Sequence, residues 1–199
     1  MPRVTAFVDG FNVYHALEAN PAYRKYKWLD YAALARCYIG SRDTLGGVYL
    51  FTALASWDPD KVNRHQLYLR ALRQRGVKVV MRKDKVCRLC HRDFHTFEEK
   101  LTDVNIAMHM FRGAYPDEYD RAILISGDTD IVPAVRMIHE LFPTKQVAVV
   151  VPVGRYAVDL KQESDFHFQM KERQLARSQL PDVIHDPMLG EIHRPDTWQ

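Results

Sequence analysis

Five short, unbroken apolar runs constrain this chain more than any other feature. They are VTAFV (4–8), GVYLFTALA (47–55), VKVVM (77–81), AILIS (122–126) and QVAVVV (146–151). A strand that is apolar on both faces must be covered on both, which is the pattern of a parallel sheet between helical layers. Helices are expected around Tyr31 to Ile39, from Asp58 to about Arg75, from about Glu98 to Gly113, and over 130–141. Asp58-Pro59-Asp60 opens the second of these and Gly76 stops it. In the third, Leu101, Val104, Met108 and Phe111 recur at helical spacing and read as its buried stripe. The segment after the first strand reads as a loop. The expected fold is therefore α/β, a three-layer α/β/α sandwich with a central parallel sheet of strand order 3-2-1-4-5. That order makes the first and fourth strands neighbours at a topological switch point, where open α/β sheets bind ligands beyond the carboxyl ends.

The 199 residues suffice for one domain with a full core. Residues 1–170 form the expected domain, with a Cys- and His-bearing loop inserted at 82–97 and, over 171–199, an extended tail rich in Pro and His, either wrapped on the domain or partly free. Three cysteines, an odd number, argue against a disulfide framework. No segment approaches the roughly 20 apolar residues of a membrane span, so a cytoplasmic protein with no membrane partner is expected. A net charge of +3 decides nothing about nucleic acid; the placement of the charges must do so.

Two of the strands at the switch point run into acid. The first continues Asp9-Gly10-Phe11-Asn12, and the fourth continues Ser126-Gly127-Asp128-Thr129-Asp130. Asp103 lies in the first turns of the helix before the fourth strand. Converging carboxylates repel one another unless a cation neutralises them, and oxygen-only ligands suit Mg²⁺ or Mn²⁺. The bland alternative is local: Asp128 or Asp130 caps the helix beginning near Ile131, and Asn12 stabilises its own turn. An aspartyl phosphatase would carry Asp-x-Asp after the first strand, whereas here Asp128-x-Asp130 follows the fourth.

FVDGFNVYHAL, EEKLTDVNIAMHM, ILISGDTDIVPAVRMI and DLKQESDFHF, in this order over about 1–170, resemble the NYN family of the PIN-like nuclease superfamily. The resemblance implies a PIN-like fold and Mg²⁺- or Mn²⁺-dependent ribonuclease chemistry. By motif it implies Asp9, Asp103, Asp128 and Asp130 as metal-site acids, with Asn12 as the polar residue beside them. Ile131 stands where members often carry Phe, a change of packing. Asp165 also matches a family acid but reads as structural.

Cys87, Cys90, His91 and His95 have the ligand spacing of a zinc knuckle, with His91 as the alternative or fourth ligand. Two reduced thiols in a hairpin, or a redox pair, are the other readings. Cys37 reads as a core residue. Arg82, Lys83, Lys85, Arg88 and Arg92 make the same loop basic, a rim suited to an RNA backbone, although surface loops are often this charged without a ligand. Tyr14, His15 and Phe94 are candidates for stacking on bases. These features define a metal-dependent endoribonuclease as the expected function, with an inactive RNA-binding module of the same fold as the rival. RNA is the expected partner, and a homodimer is an open arrangement.

Overall fold

The computed structural model of the protein describes residues 1–53, 58–81, 85–86, 93–94, 100–188 and 190–198. Its strands are β1 (Arg3–Asp9), β2 (Thr44–Thr52), β3 (Val77–Met81), β4 (Lys85–Val86), β5 (Asp93–Phe94), β6 (Arg121–Ile125), β7 (Gln146–Val151), β8 (Phe166–Gln169), β9 (Val183–Asp186) and β10 (Gly190–His193). Its helices are α1 (Gly10–Ala19), α2 (Tyr31–Arg36), α3 (Pro59–Gln74), α4 (Lys100–Ala114), α5 (Val132–Leu141), α6 (Val158–Glu163) and α7 (Glu172–Arg177). The central sheet runs β3-β2-β1-β6-β7-β8, parallel throughout. The expected five-strand order is present, with one further strand, β8, at the edge.

Alternation along the central strands splits the core into two layers. Val4, Ala6, Val8, Leu50, Ile123 and Val150 pack on the side of α1, α2 and α3. Phe7, Phe51, Leu124, Val147 and Val149 pack on the side of α4, α5 and α6. The sheet is thus covered on both faces, as its unbroken apolar runs require.

Four expectations need correction. The stretch after β1 is a helix, α1, because the Asp9 side chain accepts from the Asn12 amide and caps it at once. In α4 the inward residues are Ile106, Met110 and Ala114, with Phe111 half-buried against the same core as expected, whereas Val104 and Met108 are 56% and 60% exposed. The apolar residues of this helix fit two stripes, and packing on β1 and β2 selects the other one. Cys37 lies at the exposed C-terminus of α2, its thiol 3.5 Å from the Ala33 carbonyl, rather than in the core.

The fourth correction is the C-terminal segment, which does wrap on the domain but as regular structure rather than as an extended tail. Its α7 and the β9–β10 hairpin place Leu175, Leu180, Ile184 and Ile192 in the first core layer. The Leu180 amide donates to the Trp28 carbonyl (2.9 Å), and the Trp28 indole donates to the Pro181 carbonyl (2.9 Å). Trp28 is fully buried against Tyr68 and Trp198. Trp28→Ala should therefore cost about 3–5 kcal/mol, read as a lower urea midpoint at unchanged m-value. Ending the chain after Met170 should also lower the midpoint; an unchanged midpoint would mean that the segment contributes nothing to the core.

Candidate metal centre

The site grows out of the pairing of β1 with β6, in which Val8 lies beside Ile125 and the next residues leave the sheet together. Asp9 ends β1, caps α1 and is only 4% exposed. Its Oδ1 accepts from the Asn12 amide (3.0 Å), and its Oδ2 accepts from the Ser126 hydroxyl (2.9 Å). Ser126 Oγ in turn accepts from the Asp128 amide (3.0 Å), and Asn12 Oδ1 accepts from the Gly127 amide (2.9 Å). Two of these four hydrogen bonds, Ser126 to Asp9 and Gly127 to Asn12, tie the two strand ends together, and the other two fix the turn at each end. Gly10 is required by a close approach, since a Cβ there would lie 2.8 Å from the Phe51 carbonyl oxygen.

Asp128 caps the single turn Thr129–Ile131 by accepting from the Asp130 amide (3.0 Å). Asp103 comes from the first turn of α4, which packs against β1, β2 and that same turn. One ligand atom each from Asp9, Asp103 and Asp128 lie within 4.8 Å of one another. Three half-buried or buried carboxylates at this spacing fit a small hard cation, which would relieve their repulsion. The Asp triad can thus bind a divalent metal. Asp130 is exposed and lies outside this group. Asn12 is in the site as a bridge between its two halves.

The acids open into a cavity of about 310 Å³ that Phe11, His15, Thr102 and Arg155 also line. His15 stacks on Phe11 with ring centroids 6.0 Å apart, and Tyr14 is edge-on to His15 beneath Lys27. Arg155 was not singled out in the sequence. The signal available was a cation directly after the glycine that follows β7, at the carboxyl edge of the sheet. A larger recess of about 430 Å³ lies at the opposite edge, between Tyr38, Arg121, Phe166 and Phe168. Its carboxylate, Asp43, is paired with Arg121 at 2.9 Å, so it is not a second acid centre.

Asp165 is structural: it accepts from the Val147 amide (2.7 Å) and lies 3.0 Å from His139 Nε2, at the amino edge of β7. Cys87, Cys90, His91 and His95, with Arg82, Lys83, Arg88 and Arg92, lie outside the described residues. Lys85 pairs with Phe94 in the two-stranded β4–β5 ladder.

At the end of β2, beside Gly10, Thr52 Oγ1 lies 3.4 Å from His65 Nε2. Burial pushes the His65 imidazole down to about 4, so it is neutral at physiological pH and adds no positive charge near the acids.

The fold and the acid triad define a PIN-like α/β protein with a carboxylate centre that can hold a divalent metal. The NYN domain family model matches residues 3–170, and the chain belongs to that family. It is 28% identical to 6-hydroxy-3-succinoylpyridine 3-monooxygenase HspA of Pseudomonas putida, over 98% of this chain and 75% of that protein. Its fold is similar to the crystal structure of a protein of unknown function from Vibrio parahaemolyticus, with a TM-score of 0.59 and 22% identity. That match covers 90% of this chain and 96% of the other. No helix among the described residues is long and apolar enough to cross a membrane.

Two outcomes are expected here. Mn²⁺ at a hundredfold excess over its Kd should stabilise the protein by about 2.7 kcal/mol, and Asp128→Asn should lose most of that gain. In metal-free buffer Asp128→Asn should melt at or above the wild-type temperature, because it removes repulsion. A calorimetric series with and without Mn²⁺ reads both. Second, the folded His65 pKa of about 4 lies below the ordinary 6.5. The unfolded chain therefore binds more protons between these values, and stability must fall as pH drops through that window. His65→Gln should remove up to about one proton from the linked uptake, flattening the denaturation midpoint between pH 6.5 and 4.

Proposed function

We propose that this protein is a metal-dependent endoribonuclease that uses Mg²⁺ or Mn²⁺. The observation that carries the reading is the convergence of Asp9, Asp103 and Asp128, from three separate elements, within 4.8 Å. Membership of the NYN family supports it. Asp9, Asp103 and Asp128 would hold the ion. When bound, such an ion supplies a Lewis acid and lowers the pKa of a coordinated water, so no histidine base is required. Asn12 and Ser126 keep the two acid-bearing turns in register, and Asn12 takes the task of orienting a substrate oxygen where it faces the cavity. Asp130, exposed and two residues beyond Asp128, is assigned the task of orienting a nucleophile. Cleavage in this mode leaves a 5′-phosphate. RNA is the proposed substrate, gripped in part by the basic residues Arg82, Lys83, Lys85, Arg88 and Arg92. Ligand spacing supports a structural zinc held by Cys87, Cys90 and His95, with His91 as alternative or fourth ligand.

Oxygenation of a hydroxypyridine, the activity named for the Pseudomonas putida relative, is a weaker reading. It rests on a name at 28% identity, and an all-carboxylate donor set favours a hard cation over redox chemistry. An inactive RNA-binding module would keep the fold but does not need three acids brought together at a repulsive distance.

The experiment is incubation of mixed RNA with Mn²⁺, comparing wild type with Asp128→Asn. Wild type should produce internal cuts with 5′-phosphate ends, and Asp128→Asn should lower the rate by about two orders of magnitude or more. Equal cutting by the variant at saturating Mn²⁺ would remove Asp128 from the centre. Absence of any cutting, with oxygen consumed in the presence of 6-hydroxy-3-succinoylpyridine and a reductant, would favour the oxygenase reading.

A further inference from the structure

Charge balance at the acid cluster favours a positive group beyond a single metal ion. Three carboxylates and one divalent ion leave a net negative site, and a phosphodiester brings a further negative charge to it. Binding an anion there is unfavourable unless further positive charge, from a second ion or a fixed cation, faces the cluster. Arg155 lines the same cavity as Asp9, Asp103 and Asp128.

Its placement is built into the backbone. After β7 the chain turns at Gly154, whose φ of +69° suits glycine, and the Arg155 amide closes the turn on the Pro152 carbonyl (3.1 Å). The stem of Arg155 then crosses Gly127. A Cβ added at Gly127 would lie 3.1 Å from Arg155 Cβ and 3.3 Å from Asn12 Oδ1. The glycine between Ser126 and Asp128 thus leaves room for two groups at once, the Asn12 bridge and the arginine stem.

The charge on Arg155 is not spent on the fold. Other arginines at the sheet edges are tied to acids: Arg3 to Asp117 and Asp120, Arg121 to Asp43, Arg136 to Glu163. Arg155 is exposed, and among the described residues no carboxylate is paired with it, although three acids line its cavity. A guanidinium in that position, with its planar fork of donors, matches two oxygens of a phosphoryl group.

We propose that Arg155 is the phosphate seat of this centre: its guanidinium holds non-bridging oxygens of the scissile phosphoryl group against the metal-bearing acids. For RNA as the substrate the proposal rests on the nuclease reading; for the phosphoryl group itself it does not. Inorganic phosphate at saturating Mg²⁺ is therefore the first probe, measured by calorimetry on wild type, Arg155→Ala and Arg155→Lys. Arg155→Ala should weaken phosphate binding about tenfold or more, the value of a charge-assisted contact, while Mg²⁺ affinity and melting temperature stay unchanged. Arg155→Lys should recover part of that loss, since a point charge replaces the fork. With RNA, Arg155→Ala should raise the half-saturating concentration and reduce the salt slope of binding by about one unit.

Failure of the two readings is distinguishable. Wild type that binds phosphate through Mg²⁺ and Arg155 but cuts no RNA would remove the ribonuclease and keep the seat. Arg155→Ala that cuts and binds RNA as wild type does, or wild type that binds no phosphate with Mg²⁺, would overturn the seat.

Discussion

The hydroxyl of Ser126 donates to the buried carboxylate of Asp9 and accepts from the amide of Asp128. Much of the site depends on this one bridge. It joins the ends of β1 and β6, the strands at the reversal of sheet order, and so fixes how far apart two of the three acids stand. Burying Asp9 would be costly if its charge were unmatched. The donors from Ser126 and Asn12 offset part of that cost, and a cation would offset the rest. Asp103, arriving on α4, is brought into the same space by the packing of Ile106 and Met110 beneath it.

The central strands were legible because burial on both faces leaves no polar alternation to confuse. The switch point followed from the order of those strands, and with it the meeting of Asp9 and Asp128. The sixth strand was not legible: Phe166–Gln169 is exposed along its length at the sheet edge, so it needs no apolar run. The first helix was hidden for a different reason. It begins one residue after β1, and its capping residue is the same acid that closes the strand, leaving no linker to mark the change.

Packing, rather than pattern, decided the remaining points. The α4 sequence offers Val104 and Met108 or Ile106 and Met110 as its inner stripe, and only the position of the helix over β1 and β2 selects the second pair. Leu175, Leu180, Ile184 and Ile192 are too far apart in sequence to announce a core segment, yet each finds the first core layer once Trp28 anchors Pro181. Arg155 was missed because a single arginine in a loop has no pattern at all. Its relevance comes from Gly127, a residue 28 positions earlier whose missing side chain admits it.

The local and the functional readings of the acids turn out not to compete. Asp9 caps α1 and Asp128 caps the turn before α5, as the bland reading of such residues would have it. A carboxylate has about four lone-pair sites, so a cap that uses one oxygen leaves acceptor capacity toward the cavity. The two duties can be separated chemically. Asparagine caps a helix about as well as aspartate does, but it carries no charge. Replacement by Asn at Asp128 therefore leaves the turn its acceptor and removes the charge, whereas Asp9, whose two oxygens accept from Asn12 and Ser126, would give up one of these bonds as well; Ala at either position would break the cap and the centre together. Because the same two side chains start the adjacent helical turns and line the cavity, folding of those turns is also assembly of the site.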